Sequence, residues 1–235
     1  THVLANSEFT KADIIRTLGI EPSKITATLL AADPVFAPIE GPDEIRRFRK
    51  QNNLERDYIL CVGTLEPRKN IPFLLRAYAN CARKGHIDGD LVLIGKKGWL
   101  YENIFATERE LGLGDRIRFI GYVESNEELR RYYCGSRFFV FPSLFEGFGF
   151  PPLEAMSCGT PVICSDRGSL PEVVGDGGLL LDPCDSSAWE NRMTEWWNQG
   201  DLTEWREKAL ARAGQFSWKR TAEQTLEVYR GIGGK

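Results

Sequence analysis

A chain of 235 residues with 42% hydrophobic and 27% charged side chains has the balance of a globular protein, long enough for one large domain or one plus a fragment. Its 30 basic and 33 acidic residues leave a net charge of −3 and no basic stripe, which argues against a nucleic-acid binder. No apolar run approaches the roughly 18 residues of a membrane span, and the opening does not read as a signal peptide.

The opening "THVLANSEFT" lacks Met and starts in mid-strand, so a piece of a longer protein is expected. Residues 3–30 read strand–helix–strand ("HVLANS", "EFTKADIIRTLG", "KITATLL"), with Ser7 as the helix N-cap. "AADPVFAPIEGPD" follows, and Pro34, Pro38 and Pro42 give it the composition of a linker. From residue 58 onward, short β-rich runs alternate with helical stretches: "YILCVGTL", "LVLIGK", "IRFIGYV", "FFVFPS", "PVICSD" and "GLLLDP". These runs are continuous apolar blocks rather than period-2 alternations, the pattern of parallel strands covered on both faces. Helical stretches such as "IPFLLRAYANCARKG" and "NEELRRYYCG" separate them and end on glycine. The fold class is therefore α/β, a doubly wound parallel sheet of the Rossmann type. After residue 185 only helices are expected, and the tryptophans from Trp189 to Trp218 are read as packing onto the sheet rather than facing a membrane.

Cys61, Cys81, Cys134, Cys158, Cys164 and Cys184 show no CxxC spacing and read as buried thiols in a reducing, cytoplasmic compartment. His2 and His86 are the only histidines, which excludes a His-rich metal site.

Two stretches carry chemistry. "LFEGFGFPPLEAM", residues 144–156, places Glu146 and Glu154 around a turn with almost no polar side chains, between a strand and a helix. Ligands of open α/β sheets bind at such strand ends. Pro151 and Pro152 suit the first helical turn, Leu153 and Glu154 are expected to present free N–H groups, and the glycines let backbone approach an anion or hydroxyls. The competing reading makes Glu154 a capping glutamate and Glu146 a solvated loop acid. "VGTLEPRKN" ends the first strand of the sheet with Gly63 and adjacent Arg68 and Lys69, and suits a diphosphate bound without a metal. It is not the G-x-G-x-x-G of a dinucleotide-binding oxidoreductase.

Together with "FIGYV", "GTPVI", "PEVVGD" and the closing "FSW" helix, these stretches resemble the retaining glycosyltransferases of family 4, over about residues 3–231. The resemblance implies a GT-B fold, of which this chain is the C-terminal, donor-binding half. Residues 1–40 would then be the end of an N-terminal acceptor domain plus linker, 41–216 the nucleotide-sugar-binding domain, and 217–235 a crossover helix. It implies no metal and no cofactor beyond a nucleotide-sugar donor, GDP-mannose being favoured over UDP- or ADP-sugars. The acceptor would be a glycan or lipid-linked glycan held by the missing domain, at the cytoplasmic face of the inner membrane, and the fragment alone would be inactive. By motif, Arg68, Lys69 and Gly63 would hold the diphosphate, and Glu154 the ribose. Glu146 would act at the anomeric centre, Gly147, Phe148, Gly149 and Phe150 would hold the sugar, and Tyr122 and Val123 the base. One departure is Thr64, where many members of the family carry arginine. The rival readings are a binding module inactive by itself and a sugar-nucleotide epimerase.

Overall fold

Two parallel sheets, one small and one large, organise residues 2–233, which the computed structural model describes. In the small sheet β1 (Val3–Ala5) pairs with β2 (Ile25–Ala27), and α1 (Glu8–Leu18) makes the crossover. Ser7 is extended and its hydroxyl accepts from the Thr10 N–H, as an N-cap should. Gly19 closes the helix at φ 64°.

The proline-rich segment leads into α2 (Pro42–Gln51), a helix not expected from the sequence because Phe48 is its only buried residue. Six β-runs then become β3 (Tyr58–Val62), β4 (Asp90–Ile94), β5 (Ile117–Gly121), β6 (Phe138–Phe141), β7 (Val162–Ser165) and β8 (Leu179–Leu181). The helices between them are α3 (Ile71–Arg83), α4 (Glu102–Leu111), α5 (Asn126–Gly135), α6 (Phe150–Ser157) and α7 (Leu170–Val174). The chain finishes with α8 (Ser186–Asn198), α9 (Thr203–Ala213) and α10 (Trp218–Gly233). Strand order is β5-β4-β3-β6-β7-β8, with every pairing parallel. The sheet grows outward from β3 to β5 and then restarts at β6 on the other side of β3. That reversal opens a crevice between the carboxyl ends of β3 and β6.

Alternate residues of each strand enter two separate cores, which accounts for the unbroken apolar runs. Tyr58, Leu60 and Val62 face Phe48, Tyr133, Phe139 and Met156. Ile59 and Cys61 face Leu74, Tyr78, Phe138, Trp189 and Trp196. The tryptophans of α8 are thus core: Trp189 Nε1 donates to the Asp182 carbonyl and Trp197 Nε1 to Asp88. Trp218 differs, being 45% exposed and donating to the Ala32 carbonyl, while Thr221 donates to that of Leu29, so α10 holds the end of the linker. Five cysteines are buried or half-buried as expected, Cys184 is exposed, and all six are free thiols.

Trp196→Ala is expected to cost about 3–5 kcal/mol in urea unfolding, the range for emptying a buried aromatic site. A loss under about 0.5 kcal/mol, typical of surface positions, would contradict the core assignment.

Candidate functional site

The crevice is lined by the two loops that leave β3 and β6. The first passes through Gly63 and a single 3₁₀ turn, Pro67–Lys69, before α3. The second runs from Ser143 to Gly149 and enters α6. They are laced together: Leu144 N–H (2.7 Å) and Ser143 Oγ (3.1 Å) donate to the Arg68 carbonyl, and Arg68 Nη1 donates to the Phe145 carbonyl at 3.0 Å.

Glu146 sits between the loops. Its Oε1 accepts from Lys69 Nζ at 2.5 Å and from Ser143 Oγ at 2.7 Å, and lies 2.8 Å from Arg68 Nη1. Glu146 is 8% and Lys69 6% exposed, so Glu146 is no solvated loop acid. Lys69 Nζ also lies 4.7 Å from the centre of the Phe141 ring. Arg68 is more open and shares its charge with Glu66 at 2.5 Å. Burial works against the Arg68 charge, but the hydrogen bonds and charges of Glu146 and Glu66 outweigh it and hold its pKa above the usual value. Gly63 makes room for this pairing: a Cβ there would stand 3.3 Å from Lys69 Cε, on a backbone with φ 156°. Gly168 does the same from the other side, since at φ 64° its Cβ would fall 2.6 Å from the Glu146 carbonyl oxygen. Thr64 packs elsewhere, against Gly98 of the loop after β4.

Beyond Glu146 the chain turns through Gly147, Phe148 and Gly149 into α6. The helix begins at Phe150, and the Leu153 N–H is taken by the Gly149 carbonyl at 3.3 Å. The expectation that Leu153 and Glu154 carry the free amides is therefore corrected. With Pro151 and Pro152 supplying no N–H, the unpaired donors lie one turn earlier. Among the described residues, the amides of Gly147, Phe148, Gly149 and Phe150 have no protein acceptor. The Phe148 ring is buried at 3% exposure, so this residue offers the crevice its backbone, while Phe150 is exposed. Asn6, before α1, packs over Gly147, and its Oδ1 is buried without a hydrogen-bond partner.

Glu154 is the fifth residue of α6, past the capping position. Its Oε2 accepts the Tyr133 hydroxyl at 2.9 Å. Burial pushes its carboxyl up to about 7; the Tyr133 hydrogen bond works the other way, and Asp33 adds to the rise. Tyr122, just past β5, is 66% exposed, and Val123 is half-buried on the core beneath it. These two lie on the same carboxyl rim, two strands from β3, and no hydrogen bond or ring contact joins them to Arg68, Glu146 or Glu154. The partners that sequence reasoning missed are Ser143, Tyr133 and Ser169. Ser143 had a signal, standing directly before the turn in "FPSLFEG". Among the described residues no cluster of His, Cys, Asp and Glu could hold a metal ion.

The profile of the family described as Glycosyl transferases group 1 matches residues 43–213. The chain belongs to this family. This glycosyl transferase chain is 38% identical over 232 residues to the Escherichia coli O-antigen chain mannosyltransferase B, covering 97% of itself and 60% of that relative. It therefore spans about three fifths of the relative's length. Among solved structures it is similar to a glycosyltransferase from Rickettsia africae ESF-5, with a TM-score of 0.87 at 19% identity over 99% of this chain and 63% of that one. It is equally similar to Anabaena Alr3699/HepE in complex with UDP-glucose, with a TM-score of 0.87 at 22% identity over 98% of this chain and 64% of that one. The fold is thus the Rossmann-like α/β sheet shared with GT-B glycosyltransferases, as the motifs implied.

The raised Glu154 carboxyl has a consequence for stability. Its folded pKa, about 7, lies above the usual 4.5, so the folded state keeps a proton that the unfolded chain releases between those values. Stability from this group is therefore lost as pH rises through that window, to a total of about 3 kcal/mol above it. Glu154→Gln removes the titration. The variant is expected to melt higher than the parent at pH 8 and level with it near pH 4, and equal melting at both would contradict a raised Glu154 pKa.

Proposed function

We propose that the chain is the donor-binding part of a retaining, metal-independent glycosyltransferase. The observation that carries the reading is the convergence of Arg68, Lys69 and Glu146 beside a turn with four unpaired amides, at the point where the strand order reverses. A nucleoside diphosphate has the charge to engage Arg68, whose guanidinium is the open member of the group, with Lys69 behind it and Gly63 leaving space for the lysine stem. The unpaired amides of Gly147 to Phe150 suit the hydroxyls of the transferred sugar. Glu154 is the acceptor for the ribose hydroxyls, and Tyr122 and Val123 mark the rim where the base rests.

In this reading Glu146 faces the anomeric carbon. Departure of the nucleoside diphosphate leaves oxocarbenium character there, and a carboxylate in a largely buried site stabilises that charge as it develops. Arg68 and Lys69 stabilise the departing diphosphate. GDP-mannose is the proposed donor, supported by the mannosyltransferase relative; the neighbour solved with UDP-glucose makes a UDP-sugar the alternative. The acceptor is a glycan or lipid-linked glycan, presented at a cytoplasmic membrane face. No helix among the described residues is long and apolar enough to cross a membrane.

Residues 1–40 are assigned to the end of an acceptor-binding domain and its linker, 41–216 to the donor domain, and 217–235 to a helix that returns toward the first. The separate β1–β2 sheet and the contacts of α10 with Leu29 and Ala32 support that partition. Thr1, Gly234 and Lys235 lie outside the described residues. In this reading residues 1–235 bind donor, and transfer requires a complete acceptor-binding domain as well.

Calorimetry with GDP, UDP and ADP in the presence of a chelator tests the reading. Binding of at least one is expected, and binding that appears only after Mg²⁺ or Mn²⁺ is added would contradict it. In the longer protein that this reading requires, Glu146→Gln is expected to lower turnover by about 10²–10³ while donor affinity changes little. Normal turnover with a raised Michaelis constant would make Glu146 a binding residue instead.

A further inference from the structure

The turn between Glu146 and Phe150 is held in an unusual way: its carbonyls are all occupied while its amides are all open. The Glu146 carbonyl accepts from Ser169 N–H (3.1 Å) and Ser169 Oγ (3.0 Å). The Phe148 carbonyl accepts from Ser169 Oγ at 2.5 Å, and the Gly149 carbonyl from the Leu153 N–H. The remaining carbonyl, that of Gly147, is held from outside the large sheet. Ser7 Oγ (2.7 Å) and Thr10 Oγ1 (3.0 Å), at the start of α1, both donate to it.

In a trans peptide the C=O of one residue and the N–H of the next point in opposite directions, and no peptide among the described residues is cis. Fixing the four carbonyls therefore aims four amides. Ser169 directs the N–H groups of Gly147 and Gly149 away from α7. The Ser7–Thr10 pair directs the N–H of Phe148 away from α1. This peptide, left unheld, could turn over more easily and withdraw that donor, because Gly147 on one side of it carries no Cβ to resist rotation.

The start of α1 is seated firmly enough for this task. The Glu172 carboxylate on α7 accepts the N–H groups of Glu8 (2.9 Å) and Phe9 (3.3 Å), the orphan donors of the helix end. The Phe9 ring stands edge-on to Phe145 at 5.6 Å. The Thr10 hydroxyl and the Asn6 amide nitrogen each lie 3.6 Å from where a Cβ on Gly147 would stand, an ordinary contact distance, so both pack directly over this residue.

We infer that Ser7 and Thr10 are positioning residues for donor recognition: their hydroxyls hold the Gly147 carbonyl so that the Phe148 amide presents a hydrogen bond to the sugar of the nucleotide donor. The inference rests on the donor-site reading above. It also makes α1, which belongs to the small sheet, a structural part of the sugar subsite. The diphosphate subsite at Arg68 and Lys69 is anchored independently, through Glu146 and Ser143. Loss of the clasp therefore weakens recognition of the sugar and spares that of the diphosphate.

The test compares GDP-mannose with GDP, and UDP-glucose with UDP, by calorimetry on the chain and on Thr10→Val and Thr10→Ser. Valine matches threonine in shape and removes only the hydroxyl; Ser7 is left intact because it also caps α1. Thr10→Val is expected to weaken the sugar nucleotide about fivefold, the scale of one hydrogen bond, with the free diphosphate changed less than about twofold. Thr10→Ser, which restores the hydroxyl, is expected to recover most of the loss. Equal losses for sugar nucleotide and diphosphate, accompanied by a lower melting temperature, would reduce Thr10 to a packing residue and overturn the inference. Unchanged binding of both ligands to Thr10→Val would also overturn it, while leaving the donor-site reading intact. A parent chain that binds neither ligand would overturn the donor-site reading, and the inference with it.

Discussion

A lysine ammonium at 6% exposure is tolerable only with a charge partner, and Glu146 supplies it at 2.5 Å. The two residues lie 77 positions apart in sequence, one after β3 and one after β6. Their contact therefore pins together the two strand ends that diverge at the reversal of the sheet. Glycines flank the pair on both sides: a Cβ at Gly168 would clash with the Glu146 backbone at 2.6 Å, and one at Gly63, on a backbone with φ 156°, would crowd the Lys69 stem at 3.3 Å. Ser143 and Arg68 complete the set, so that Oε1 of one carboxylate receives two cations and a hydroxyl.

Such a group is a poor choice for stability alone. Taking both charges out of water costs several kcal/mol per ion, and buried ion pairs are often replaceable by apolar residues at no loss. Its value lies in pre-organisation. In the proposed reading a nucleoside diphosphate arriving at Arg68 would meet charges already fixed in place, and Glu146 would already be oriented when positive charge develops nearby. Glu154 shows the opposite treatment. Among the described residues it has no cationic partner, only the Tyr133 hydroxyl, and burial pushes its carboxyl up to about 7. Two acids eight positions apart thus sit in different surroundings, Glu146 among two cations and a hydroxyl and Glu154 beside a tyrosine hydroxyl.

Much of the frame was readable from the sequence because the signals were local or periodic. Continuous apolar runs marked six strands, the inner four buried and the edge strands β5 and β8 largely half-buried; Ser7 announced its helix, and the glycine–proline turn marked a strand end. The pairing of Glu146 with Lys69 was not readable, since neither residue's neighbours in sequence indicate that the two loops interlock. The same holds for Tyr133, which looks like one of two core tyrosines in "RRYYCG" until α5 and α6 are placed side by side. The free amides were misplaced by one turn because the helix starts at Phe150, ahead of the prolines rather than on them. Helix α2 escaped notice because its single buried side chain leaves almost no apolar stripe to detect.

A double-mutant cycle on the central pair, with Lys69→Met, Glu146→Gln and the double variant unfolded in urea, is the most direct measurement. Glu146→Gln strands the buried Lys69 and is expected to cost about 3 kcal/mol; Lys69→Met leaves Glu146 with Arg68 and should cost less, while the double variant removes both charges and should cost less than the sum. A coupling energy of about 2 kcal/mol or more is the expected result. Additive losses, with coupling near zero, would mean that Lys69 and Glu146 do not depend on one another, and that the strand ends are held by something else.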